Sequence, residues 1–157
     1  MQTEAGLSIA ALYTKPGHLI RRAQQRAVAL FMQECAPLDL TPMQYATLVA
    51  VRENPGVDAT RVASLIAFDR ATTGSVLDRL EAKALLTRRA SAQDKRLKLL
   101  KLTPAGAKLL ARADTHVAQA QQAILAPLKP SEQKTLMQLL RKLIVSHDGV
   151  DGDRTAR

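Results

Sequence analysis

DATRVASLIAFDRATTGSVLDRLEAKALLTRRASAQDKRLKLLKLTPAG, residues 58–106, decides the fold of this 157-residue chain. Asp58 stands where a helix N-cap belongs, ahead of a stripe formed by Val62, Leu65 and Ile66. Ala67-Phe68 then forms a short turn, and Asp69 stands as the cap of a second helix with Val76, Leu77 and Leu80 facing inward. This arrangement predicts that Arg70, Thr72, Thr73, Ser75 and Arg79 face outward. The pattern next changes to Thr87-Arg88-Arg89-Ala90, a polar loop from Ser91 to Arg96 and a second run from Leu97 to Leu102, which reads as a hairpin. From Arg88 to Lys101, six basic residues stand against one acidic residue, so the hairpin projects positive charge.

Two short helices followed by a basic hairpin outline a winged helix-turn-helix, mainly α with a small β-hairpin wing. Each half suits a different part of a DNA duplex: a helix fits the major groove, and a basic loop reaches the adjoining backbone or minor groove. Arg70 could bond a guanine edge in two places, Thr72, Thr73 and Ser75 could meet base edges or phosphates, and Arg79 lies further along the same helix. Arg88, Lys95, Arg96 and Lys98 are the basic candidates of the wing. Arg96 is expected to enter a minor groove, with Asp94 pairing to it and fixing its orientation. Simple capping is the competing explanation for Asp69 and the threonines. Gly74 lies inside the helix, where glycine costs about 1 kcal/mol relative to alanine. Either close approach of DNA or close packing against the preceding helix would offset that cost.

The composition agrees. An excess of 23 Lys and Arg over 14 Asp and Glu favours an anionic partner. With no long apolar run for insertion, nucleic acid ranks ahead of a membrane. Cys35 is the sole cysteine, which excludes an internal disulfide and makes a reducing cytoplasm the simplest setting. The first residues, MQTEAGLSIAALYTKPG, lack the basic start of a secretory signal.

Outside the decisive stretch, Pro16-Gly17 starts a helix with Leu19, Ala23, Ala27, Leu30 and Phe31 on one face, ended by Pro37. Thr41-Pro42 caps and opens another, carrying Tyr45, Leu48, Val49 and Arg52. It closes at Asn54-Pro55-Gly56. Leu109, Leu110, Ala113, Val117, Ala120 and Ile124 form one C-terminal stripe, and Leu136, Leu139, Leu140, Leu143 and Ile144 form another. Apolar helices at both ends of the chain, with no obvious third layer to cover them, predict burial against a second subunit. Folding back onto the lobe as a monomer is the alternative. Residues 148–157 read as a flexible tail.

The run Asp94-Lys95-Arg96 through Leu102-Thr103-Pro104-Ala105-Gly106 resembles the D-x-R…L-T-x-x-G signature of the MarR family of bacterial transcriptional regulators. Leu40 to Tyr45, Leu77 to Lys83 and Leu136 to Leu140 extend the resemblance over roughly residues 17–145. It implies one MarR-like domain over 1–157, with interlocking dimerisation helices at 17–36 and 105–147 and a winged helix-turn-helix lobe at 40–104. It further implies a homodimer on a palindromic double-stranded operator, often released by a small anionic ligand. Two departures from the family pattern stand out: Ala84 replaces a usual glycine, and Gly74-Ser75 replaces a threonine and a larger polar residue.

The segment from Pro16 to Gln25 and the Ala67-Phe68-Asp69-Arg70 turn are similar to a MarR subset that represses aromatic-acid, particularly nicotinate-type, catabolism. A planar carboxylate such as a hydroxynicotinate would then meet His18, Arg22 and Tyr45, with Arg21 in reserve. His18 as a plain helix-start residue is the competing reading. His116 and His147 have no partners at metal-ligand spacing, so neither a metal nor another cofactor is expected. A redox-sensing regulator acting through Cys35 is a further alternative. Oxidant-sensing members of the family, however, carry their cysteine near the start of the first helix, and Glu34 disfavours a thiolate at Cys35. No catalytic set is evident, so an enzyme is not expected. A winged-helix module that binds nucleic acid nonspecifically, or binds a protein, is the remaining alternative.

Overall fold

The computed structural model describes residues 8–148, with side chains through Val145. The expected tail lies outside the described residues apart from Asp148, which ends the last helix. Helices α1 (Ile9–Leu12), α2 (Pro16–Glu34), α3 (Pro42–Glu53), α4 (Ala59–Leu65), α5 (Arg70–Ala82), α6 (Pro104–Leu125) and α7 (Pro130–Asp148) are joined by a 3-10 turn at Ala36–Leu38 and three strands. The strands are β1 (Val57–Asp58), β2 (Leu86–Ala90) and β3 (Lys98–Leu102). No helix among the described residues is long and apolar enough to cross a membrane.

Local chemistry explains where the helices of the lobe begin. Thr41 Oγ1 accepts the Gln44 N–H at 3.2 Å while Gln44 Oε1 accepts the Thr41 N–H at 3.1 Å, a reciprocal cap with Pro42 as the first helical residue. Asp58 accepts the Arg61 N–H at 3.0 Å to open α4, and Asp69 accepts the Thr72 N–H at 2.8 Å to open α5. The sheet has the order β1-β3-β2 and is antiparallel throughout, with Val57 opposite Leu100 and Leu86 opposite Leu102. The hairpin is therefore backed by a third strand that the sequence pattern did not reveal. Gly56, at φ 85°, turns the chain into that strand and donates its N–H to Leu100 O.

The chain divides into two compact units after Gln121. In the first, Leu48, Val51, Val62, Leu77, Leu80, Leu86 and Leu100 form the centre of the core, with Phe31, Cys35, Leu110, Ala113, Val117 and Ala120 in the same cluster. The inward stripe of α5 is as expected. In α4, Val62 and Ala63 are buried but Leu65 is 41% exposed, so that part of the predicted stripe is corrected. Leu110, Ala113, Val117 and Ala120 of the α6 stripe are also buried within the first unit, contrary to the expectation that they lack a covering layer. Exposed apolar residues remain on α2, at Leu19 and Ile20, and on α7, at Leu139, Leu140 and Ile144. In the second unit, Gln133 Nε2 donates to both Leu125 O and Leu128 O, and the Lys129 N–H donates to Glu132 Oε2 at 2.7 Å, fixing the turn into α7.

The family signature has a structural cause at Thr103 and Gly106. The Thr103 hydroxyl donates to Ala84 O at 2.7 Å and accepts the Gly106 N–H at 3.0 Å, tying the start of α6 to the joint between α5 and β2. A Cβ at Gly106 would lie 2.1 Å from Leu85 O, so only glycine lets α6 pass that joint. Ala84, which stands where a glycine is usual, holds φ 54° in the left-handed region.

Candidate nucleic-acid interface

Helix α5 and the β2–β3 hairpin carry the candidate contacts. Arg70, Ser75 and Arg79 are exposed on α5, and Thr72 is half-buried. Asp69 gives this helix a firm start: the Thr72 hydroxyl donates to Asp69 Oδ2 at 2.5 Å, and with the Thr72 backbone N–H it holds the Asp69 carboxyl below its usual range. Thr73 does not face outward as expected. It is 0% exposed and its hydroxyl donates to Asp69 O at 2.9 Å, which removes it from any groove contact. Helical spacing explains this, because Thr73 precedes the buried Val76 and Leu77 by three and four residues.

The hairpin loop is held by Ser91, whose Oγ is buried and accepts the N–H groups of Gln93 at 3.2 Å and Asp94 at 3.4 Å. Asp94 in turn accepts the backbone N–H of Arg96 at 2.9 Å. Asp94 thus shapes the loop through the main chain, a correction to the expected pairing with the Arg96 guanidinium. Lys95, Arg96 and Lys98 are exposed, and none has an ion-pair partner among the described residues.

Arg88 is the other correction. Its side chain, 26% exposed, turns toward α5, with Nη2 2.6 Å from Asp78 Oδ1 and Nε 3.4 Å from Glu81 Oε2. Arg88 shares its strand face with the buried Leu86, so the period of two from Leu86 was the signal that could have placed it. By the same alternation Arg89 is exposed, and the sequence reading had passed over it as a candidate. At the other end of α5, Lys83 Nζ reaches Asp39 Oδ2 at 2.5 Å and Asp39 O at 3.1 Å, anchoring the helix to the turn after α2.

The ligand candidates do not gather in one place within the chain. His18 is packed edge-on to Tyr13 with ring centroids 5.2 Å apart, and its Nε2 is shut from solvent without a hydrogen-bond partner among the described residues. Tyr45 instead packs on Phe31 at 5.9 Å. His18 and Phe31 are thirteen positions apart on α2, or about 20 Å along a helix axis. Arg22 lines an open groove of about 560 Å³ on α2 together with Ala23, Arg26, Ala29, Leu30 and Gln33, whereas Arg21 is exposed outside it. Cys35 is fully buried, and burial first and the Glu34 charge second push its thiol up, as suits a packed residue. Among the described residues no group of three or more His, Cys, Asp or Glu could hold a metal. His147 lies beyond the described side chains.

A helix-turn-helix with a basic three-stranded wing and long flanking helices defines the winged-helix transcriptional regulators. The chain belongs to the MarR family among them: the MarR family profile matches residues 38–97, and relatives named below align over most of the chain. It is 32% identical over 132 residues to the HTH-type transcriptional repressor NicR of Pseudomonas putida, covering 84% of each chain. Among solved structures it is similar to Bordetella bronchiseptica BpsR, whose DNA binding is regulated by 6-hydroxynicotinic acid, with TM-score 0.78, 35% identity and coverage of 83% of this chain and 93% of that one. It is also similar to the transcriptional repressor CouR bound to a 23-mer DNA duplex, with TM-score 0.80, 31% identity and coverage of 88% and 98%.

Proposed function

We propose that this regulator is a homodimeric repressor that binds a palindromic operator through α5 and the wing and leaves it when a small aromatic carboxylate binds. The observation that carries the DNA-binding part is the set of Arg70, Ser75 and Arg79 exposed on α5 in the same lobe as Lys95, Arg96 and Lys98 of the wing, which have no ion-pair partner among the described residues. Arg70 and Ser75 read base edges and Arg79 a phosphate, Thr72 firms the helix start, and Arg96 enters the adjoining minor groove. CouR on its duplex supports that docking.

On this reading residues 17–36 and 105–147 join the protomers and 40–104 form the DNA-binding lobe. The uncovered apolar faces of α2 and α7 support a second subunit. The same dimer answers the scatter of the ligand candidates, since His18 and Tyr45 can meet around one molecule only if two protomers supply them. Arg22 then grips the carboxylate, with Arg21 at its side. BpsR, whose DNA binding is regulated by 6-hydroxynicotinic acid, supports the ligand class, and NicR, a repressor, supports the direction of control.

Fluorescence anisotropy tests the whole reading, using the intergenic DNA beside the gene, a scrambled duplex and a panel of aromatic carboxylates including 6-hydroxynicotinate. Selective binding that one acid abolishes is the expected result. Equal, salt-sensitive binding to both duplexes would instead favour a nonspecific module.

A further inference from the structure

Gly74 is the fifth residue of α5, a position where glycine weakens a helix relative to alanine. Nothing inside the protein accounts for it. A Cβ built there meets no atom within 4 Å, which excludes tight packing against α4, and its backbone does not adopt positive φ. Gly106 is the opposite case, crowded by Leu85 O and the Leu102 side chain. Among the described residues, neither packing nor backbone conformation requires a glycine here.

Helical spacing sets Gly74 in one row with Arg70 before it and Asp78 after it, each four residues away. The Asp78 end of this row is where Arg88 of β2 attaches, so the row faces the wing. A helix in the major groove whose wing enters the next minor groove straddles the sugar–phosphate strand between the two grooves. The charges along the row suit such a strand: Arg70, whose guanidinium reaches past it to the base edges, keeps the start of the row positive, while Asp78 and Glu81, which would repel it, are both engaged by Arg88.

We propose that Gly74 is the seat on which this sugar–phosphate strand comes closest to α5, with Arg70 and the Arg88-neutralised Asp78 on either side. The proposal rests on the DNA-binding reading above. A methyl group at this position fills the seat from outside and holds the strand off the helix, while the fold itself gains from a better helix former.

Gly74→Ala separates the two effects because they have opposite signs. The variant should unfold about 2 to 4 °C higher. Its affinity should fall about tenfold, the size of one lost charge-assisted contact, and by the same factor on operator and scrambled duplex at low salt, since a phosphate carries no sequence. Unchanged or tighter DNA binding would overturn the proposal. A lower melting temperature would overturn it too, by showing that the methyl group meets protein. Loss on the operator alone would replace the backbone seat with a base contact. If the wild-type chain binds neither duplex, the DNA-binding reading itself falls, and that is seen before the variant is made.

Discussion

Arg88 Nη2 lies 2.6 Å from Asp78 Oδ1, a bond that fastens the first strand of the wing to the helix preceding it. A residue that would be counted as a DNA contact by charge alone is thereby a brace between α5 and the wing, with Glu81 as its second partner.

Arg88→Gln should lower stability by no more than about 1 kcal/mol, because Asp78 is 70% exposed and water screens the pair. Its larger effect should be on DNA, where Asp78 and Glu81 regain their repulsion and every sequence binds more weakly. Urea unfolding beside anisotropy on operator and scrambled duplex checks both halves.

Arg96→Ala should cost about 1 to 3 kcal/mol of operator affinity and leave the unfolding midpoint unchanged, since the exposed guanidinium has no ion-pair partner among the described residues. Wild-type affinity in that variant would remove Arg96 from the interface.

Gly106→Ala should destabilise the fold by about 1 to 3 kcal/mol or more, because the new Cβ would meet Leu85 O at 2.1 Å and Leu102 Cδ1 at 2.9 Å, and a backbone oxygen cannot step aside as a side chain can. Ala84→Gly should act the other way. It relieves a left-handed alanine at φ 54°, for a gain of about 0.5 to 1 kcal/mol after glycine's greater freedom in the unfolded chain is counted. Denaturant midpoints of the two variants should lie on opposite sides of the wild type.

Asp69 predicts a pH dependence. Its folded carboxyl is held below the usual aspartate range, chiefly by the Thr72 hydroxyl. The unfolded chain therefore takes up the proton first as pH falls. Asp69's contribution is complete above the ordinary aspartate pKa and is lost as pH drops through the lowered folded value. Asp69→Asn should flatten this acid limb in thermal unfolding followed from neutral pH downward. An unchanged limb would place its cause elsewhere.

Much of this was legible in the chain because it is local. Thr41, Asp58 and Asp69 each precede a helix they cap within three residues, so the sequence carries the whole interaction. Thr73 was misplaced because its hydroxyl was weighed above its spacing to Val76 and Leu77. Arg88 was misplaced because its charge was weighed above the alternation starting at Leu86. Other features depend on partners far along the chain. The two-residue strand Val57–Asp58 exists only through Leu99 and Leu100, and Lys83 finds Asp39 across 44 positions. The separation of His18 from Tyr45 follows from the length of α2, which carries His18 near its start and Phe31, the partner of Tyr45, near its end.

The sealed position of Cys35 has a practical side. It is the chain's single thiol and is 0% exposed, so in the native protein it is closed to a maleimide dye. A cysteine placed at the exposed Ala92 in the wing loop would then take the label alone, with no background to remove. The movement of the wing on and off a duplex could be followed by energy transfer in an otherwise unaltered chain.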